Sequence, residues 1–333
     1  MNDKSPGILV LCDAEEEYAQ LMTDYLKKQR DLPWELHTYT NMEELMVKER
    51  GMQIAVLVAA ESVFCEEIKA LQPGCIVILN ESGVIRWPQL CNVNKYQRAE
   101  NVRKELLEIY VKNTEELLPL LTRSGQTKFV GIYSPVRRCL QTTFALTLSQ
   151  LLAQKHAALY LNFEHYAGIT ELLPDLQTRD MADLLYFLSA EGSRFRLRLQ
   201  TILQKKGKLD YIPPMKAGQN LLTVTTEEWL NLLHKIQEYG EYEYVVLDLS
   251  ENVQGLFQLL QRCIKIFTLT KDDRIARSKL LQYEQLLELC QHQDILEKTE
   301  KLSLPKFRRL PDEVEQYTRG ELAEYVQGLI KEL

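Results

Sequence analysis

Short apolar runs alternate with amphipathic stretches along most of the chain. Residues 8–12 (ILVLC) are a continuous apolar run closed by Asp13, the pattern of a parallel strand buried on both faces. Tyr18, Leu21, Met22, Tyr25 and Leu26 then recur at helical spacing. The alternation continues with a strand at 34–39 (WELHTY), a helix at 42–50 and a strand at 54–58. A helix at 66–71, a Pro73-Gly74 turn and a strand at 75–79 come next, then a weak strand near 90–93 and a helix at 97–112. A second series starts at Phe129. It predicts strands at 129–133, 158–163, 242–249 and 264–269, and helices at 144–154, 181–188, 227–239, 276–290 and 321–333, with a mixed stretch at 194–208. Strands alternating with helices predict an α/β chain of two doubly wound domains. Residues 1–118 form the first and 129–333 the second, joined by a linker at 119–128 where SGQTK breaks the periodicity.

Composition changes this picture little. At 333 residues, with 45% hydrophobic and 26% charged, the chain can bury two cores. A formal charge of −7 argues against a dedicated nucleic-acid binder. One basic stretch, RFRLRLQTILQKKGK (194–208), carries six cations and leaves open a weak contact with DNA or an anionic surface. Seven cysteines without CxxC spacing read as buried free thiols of a reducing compartment. Five scattered histidines offer no metal-ligand pairing, and no GxSxG nucleophile context is present. With no transmembrane segment and no leader pattern in MNDKSPGILVLCDAEEE, the expected location is cytoplasmic. The closing helix has an apolar stripe, but its polar side holds Glu321, Glu324 and Glu332 against Lys331, which favours core or dimer packing over lipid.

The most informative segment is KFVGIYSPVRRCLQTTFALTLSQLLA (128–153): a strand, a tight loop and a helix opening on two threonines. A phosphate-binding loop is built this way, because backbone N–H groups and the helix N-terminus cradle phosphates. It also needs glycines for close approach, a lysine for the β/γ oxygens and a Thr for Mg²⁺. Here the glycine places hold Arg137, Arg138 and Leu140, and the lysine place holds Gln141; Thr142 and Thr143 remain.

This loop, then YLNFEHYAG (160–168), then YEYVVLDLSEN (242–252), resembles in order and spacing the three core motifs of the MinD/ParA-type deviant Walker ATPases. The resemblance implies a P-loop NTPase-like second domain whose nucleotide-binding remnant is Arg137, Arg138, Gln141, Thr142, Thr143, Glu164 and Asp248. Thr142 and Asp248 would hold Mg²⁺ if ATP binds. Asn162 and Glu164 stand where the family has two aspartates, and SPVRR lacks the family's signature lysine. The first domain is similar to a receiver (flavodoxin-like) domain with an acidic pocket at Asp13 and Glu15 and a lysine at Lys95. Its phosphoacceptor place falls on Ala59 and Ala60, with Glu61 just beyond. Together the two are most similar to the TadZ/CpaE-type proteins that position Flp pilus machinery. That likeness implies a non-catalytic homodimeric scaffold, requiring no cofactor, which meets pilus or secretion assembly proteins at the inner face of the membrane or a cell pole. The alternative is an ATP-binding dimerisation switch with slow or no hydrolysis, using ATP and Mg²⁺.

Overall fold

The computed structural model describes residues 7–29, 32, 34–113, 127–168, 179–189 and 192–331. The chain divides into two compact units, Met1–Leu121 with Arg196–Thr201, and Thr122–Phe195 with Ile202–Leu333. Residues 119–126 of the expected linker lie outside the described residues, whereas Thr127 and Lys128 of the SGQTK break are described, Lys128 already in a strand.

In the N-terminal unit, β1 (Gly7–Cys12), β2 (Trp34–Tyr39), β3 (Ile54–Ala60), β4 (Ile76–Asn80) and β5 (Cys91–Asn94) form a parallel sheet in the order β2-β1-β3-β4-β5. The helices are α1 (Glu16–Lys27), α2 (Met42–Lys48) and α3 (Ala99–Asn113). This is a doubly wound order, in which ligand-facing residues gather beyond the carboxyl ends of the central strands. The runs ILVLC and IAVLVAA are buried almost throughout because layers cover both faces of the sheet. The expected helix at 66–71 is a 3₁₀ turn. No helix joins β4 to β5; Trp87 and Leu90 from the connecting loop cover Phe64 and Ile78 in its place.

The C-terminal unit is a seven-stranded sheet in the order β12-β11-β6-β10-β7-β9-β8. Its strands are β6 (Lys128–Tyr133), β7 (Ala158–Phe163), β8 (Gln204–Lys206), β9 (Leu209–Ile212), β10 (Tyr244–Leu249), β11 (Lys265–Thr270) and β12 (Thr299–Ser303). All pairs are parallel except β8 with β9. The helices are α4 (Gln141–Ala153), α5 (Met181–Tyr186), α7 (Thr226–Tyr239), α8 (Leu256–Arg262), α9 (Arg274–Leu289), α10 (Gln293–Glu297) and α11 (Glu321–Ile330), together with the ends of α6 (Gly192–Ile202), whose residues Arg196–Thr201 belong to the N-terminal unit. The strongly apolar α4 is buried from Phe144 to Ala153. Leu322, Ala323 and Val326 of α11 share that core, so the closing stripe is spent inside the unit. Gly131 in β6 lets α8 approach: a Cβ there would sit 3.0 Å from Cys263 Sγ.

Two expectations are corrected. Cys290 is exposed and Cys65 and Cys91 are half-buried, so only Cys12, Cys75, Cys139 and Cys263 match the buried-thiol reading; all seven are free. The mixed stretch 194–208 resolves into α6, β8 and the start of β9's hairpin. Leu197 of α6 joins the N-terminal unit's core, and none of Arg194, Arg196 and Arg198 is free of a partner. Lys206 is paired with Glu315 at 2.8 Å.

Candidate functional site

The loop between β6 and α4 is held by Ser134, a buried residue at the end of its strand. Its hydroxyl donates to Leu269 O at 2.6 Å and accepts from Val136 N and Arg137 N, both at 3.1 Å. The Cys139 thiol donates to the Ser134 hydroxyl oxygen at 3.0 Å. Arg137, Arg138 and Leu140 all adopt positive φ, at 65°, 50° and 62°. The backbone therefore keeps a conformation suited to glycine, although each of these residues carries a side chain that disfavours it. Arg137 is ion-paired with Glu251 of the loop after β10, and Arg138 is exposed.

Helix α4 begins at Gln141, so Gln141, Thr142 and Thr143 all lie in its first turn. The Gln141 side chain turns inward, its Nε2 donating to Asp248 Oδ1 at 2.7 Å and to Leu249 O at 2.8 Å. Asp248 is fully buried on β10, the central strand between β6 and β7. Its second oxygen accepts from Tyr160 OH at 2.9 Å and Asn162 Nδ2 at 3.1 Å, and the Thr142 hydroxyl adds a further bond. Burial pushes the Asp248 carboxyl up, and the bonds from Gln141, Tyr160, Thr142 and Asn162 oppose that rise. Glu164, just past β7, is raised to about 7 by burial and by the Asp248 charge, with Arg137 pulling the other way.

Of the expected nucleotide remnant, Gln141 and Thr142 meet Asp248 and Glu164 feels its charge and that of Arg137, while Arg138 is exposed and Thr143 lies in the first turn of α4; the polar groups at Asp248 are turned inward. Mg·ATP needs a lysine for the phosphates, backbone free of side chains, and a carboxylate oxygen to spare. This loop has Gln141 at the lysine place, Cβ atoms at the positive-φ positions, and protein donors on both Asp248 oxygens. The residues present do not fit the group.

No family model matches the chain, and no curated protein matches it. Solved structures do. A ParA family ATPase from Chlorobium tepidum is 19% identical, with a TM-score of 0.43 over 58% of this chain and 81% of that one. A putative plasmid partition protein from Borrelia burgdorferi bound to AMPPNP is 14% identical, with a TM-score of 0.44 over 63% and 100%. The MinC:MinD cell division protein complex of Aquifex aeolicus matches at 17%, 0.40, 53% and 67%. These neighbours are ParA- and MinD-type proteins.

The second cluster lies at the carboxyl end of the N-terminal sheet. Lys95 is fully buried there, its Nζ 2.9 Å from Asp13, 2.9 Å from Glu15 and 2.7 Å from Glu81. Oxygens of the three carboxylates lie within 4.8 Å of one another, close enough for a metal ion, but the ammonium already sits among them. Burial would lower the Lys95 pKa; bonds to Glu81, Asp13 and Glu15 reverse this and raise it. Glu61, beyond β3, accepts from Glu81 N and Ser82 N, each at 3.0 Å, and is paired with Arg86 at 2.8 Å. Those backbone bonds, the Glu81 amide first, hold its carboxyl below the usual range. Sequence reasoning brought Asp13, Glu15 and Lys95 to one place and missed Glu81. The signal was there: a carboxylate one residue past the buried strand IVILN. It also missed Ser134, Tyr160 and Glu251, whose roles depend on contacts far along the chain.

Glu164 supplies a pH-dependent test. Its raised folded pKa means the native state holds the proton more tightly than the unfolded chain. Its contribution to stability therefore falls as pH rises from the ordinary 4.5 through about 7. Glu164→Gln is expected to match the parent below pH 4.5. At pH 8 it should be about 1–2 kcal/mol more stable, allowing for Glu164's partial access to water. Urea denaturation at both pH values measures this, and an equal difference at both would disprove it.

Proposed function

We propose that the chain is a non-catalytic member of the MinD/ParA class: a TadZ/CpaE-like adaptor that positions a pilus or secretion assembly through protein contacts and self-association. The supporting observation is Gln141. At the place where the phosphate lysine belongs, it is bonded to Asp248 and Leu249 O and fills the position with a neutral internal tie. The carboxylate that would hold Mg²⁺ becomes part of the packing between β10, β7 and α4. In the N-terminal unit Lys95 plays a matching part, placing a built-in cation where a receiver-like pocket would take a metal. Each unit keeps a fold that carries chemistry elsewhere, because sheet packing does not require that chemistry. Among the described residues no helix is long and apolar enough to cross a membrane.

The test is calorimetric titration of the full chain with Mg·ATP. No binding heat is expected up to about 1 mM, a free energy weaker than about −4 kcal/mol. Micromolar binding that disappears in Thr142→Ala would instead establish the nucleotide-dependent switch, and sedimentation with and without ATP would then show the change in association.

A further inference from the structure

We infer that the carboxyl end of the N-terminal sheet, around Val84, Ile85 and Tyr96, is a docking surface for a partner segment carrying apolar side chains between lysines or arginines. Val84, Ile85 and Tyr96 are 63%, 58% and 64% exposed. Lone exposed apolar residues are ordinary, but these three are held out by fixed backbone. Asn80 Nδ2 donates to Val84 O at 2.7 Å, and Gly83 N donates to Asn80 Oδ1 at 2.8 Å. Ser82 is tied to Glu61 through both its amide and its hydroxyl. Tyr96 N donates to Asn94 Oδ1 at 2.9 Å. Asn80 and Asn94 are register partners on β4 and β5, about 4.8 Å apart, so the two anchored loops leave the sheet side by side. Behind them Trp87 packs edge-on against Phe64, ring centroids 4.8 Å apart, and ties the exposed pair to the core. Rigid apolar groups of this kind bind at low entropic cost, because the loop is ordered before the partner arrives.

Charge decides the partner. Residues 1–121 contain 13 Lys+Arg against 20 Asp+Glu, which accounts for the whole −7 of the chain. With Arg196 and Arg198 included, the N-terminal unit stands at −5. At the patch, Lys95 offsets only part of the charge of Asp13, Glu15 and Glu81, and Arg86 is matched by Glu61. Glu16 and Glu17 follow on exposed positions, and Arg98 is an exposed cation beyond Tyr96. The residual charge is negative. It repels phosphate-rich surfaces and attracts a basic segment, so nucleic acid and anionic lipid are the wrong occupants.

This inference deepens the adaptor reading and rests on it for its purpose, but it is tested without nucleotide. A fluorescein-labelled 12-residue peptide of alternating Leu and Lys pairs is titrated with the full chain in about 0.15 M salt, where long-range attraction is screened beyond about 8 Å. The Leu/Glu counterpart is the control. The Leu/Lys peptide is expected to bind at least tenfold tighter than the Leu/Glu one. Val84→Ser/Ile85→Ser should weaken it at least tenfold, whereas Val47→Ser, at a still more exposed apolar site on α2, should not. Binding indifferent to Val84 and Ile85, or stronger binding to duplex DNA or phosphatidylglycerol vesicles, overturns the docking surface and leaves the adaptor reading standing. Micromolar Mg·ATP binding would overturn the adaptor reading and leave the docking surface standing.

Discussion

Lys95→Met is expected to destabilise the N-terminal unit by about 3–5 kcal/mol at pH 7. The substitution keeps most of the apolar stem, ending one atom short, but removes the cation at the centre of Asp13, Glu15 and Glu81. Asp13 is fully buried and Glu81 largely so; both would be left ionised against each other with little water to screen them. The pH dependence should change sign as well. In the parent, burial alone would raise the Glu81 carboxyl, but bonds from Lys95 and Ser62 hold it below 4.5. Its contribution to stability is therefore present above that value and lost as the pH falls. Without Lys95, burial pushes the Glu81 carboxyl upward, so the variant should recover stability on acidification. Denaturation followed through Trp34 and Trp87, at pH 7 and near pH 4.5, measures both effects. A loss below about 1 kcal/mol would mean that the ammonium is not needed to hold this cluster.

Asp248→Ala should cost about 2–4 kcal/mol, as a buried charged acceptor is removed from under its donors. Tyr160 OH would lose its acceptor inside a fully buried site. Gln141 would retain Leu249 O and Asn162 would retain the Tyr160 oxygen. The relief of a buried carboxylate offsets part of the loss, but an orphaned hydroxyl and a carboxyl-sized cavity outweigh it. Glu164 should also titrate lower, since Asp248 is the second contributor to its rise after burial. Thermal unfolding together with a Glu164 titration separates this from a metal-site role. A variant with unchanged stability would mark Asp248 as a residue kept for a ligand.

The alternation of buried strands and amphipathic helices was legible because central parallel strands are nearly continuous apolar runs. The last six residues of YEYVVLDL form β10, and ILVLC forms β1 together with Gly7. What escaped notice lies at the edges. TEKLS pairs on one side only and buries little beyond Leu302, so β12 has no apolar signature. The hairpin of β8 and β9 is hidden in a basic run. The sites were half legible for a related reason. Asp13, Lys95 and Asp248 stand at the ends of strands, where chain order predicts convergence. The Gln141 bond to Asp248, by contrast, spans 107 positions and depends on a rotamer that no spacing rule encodes. Likewise, the positive φ of Arg138 and Leu140 runs against what their residue types predict.

That last feature bears on the order of assembly. A glycine-built loop can sample its final shape while the chain is still open, because the conformation costs glycine almost nothing. Here the shape is stabilised by Ser134, whose hydroxyl reaches a carbonyl on β11 135 residues away. The loop between β6 and α4 therefore has no reason to settle until β11 has docked beside β6. It is completed late by its surroundings, as the keystone of the sheet it joins.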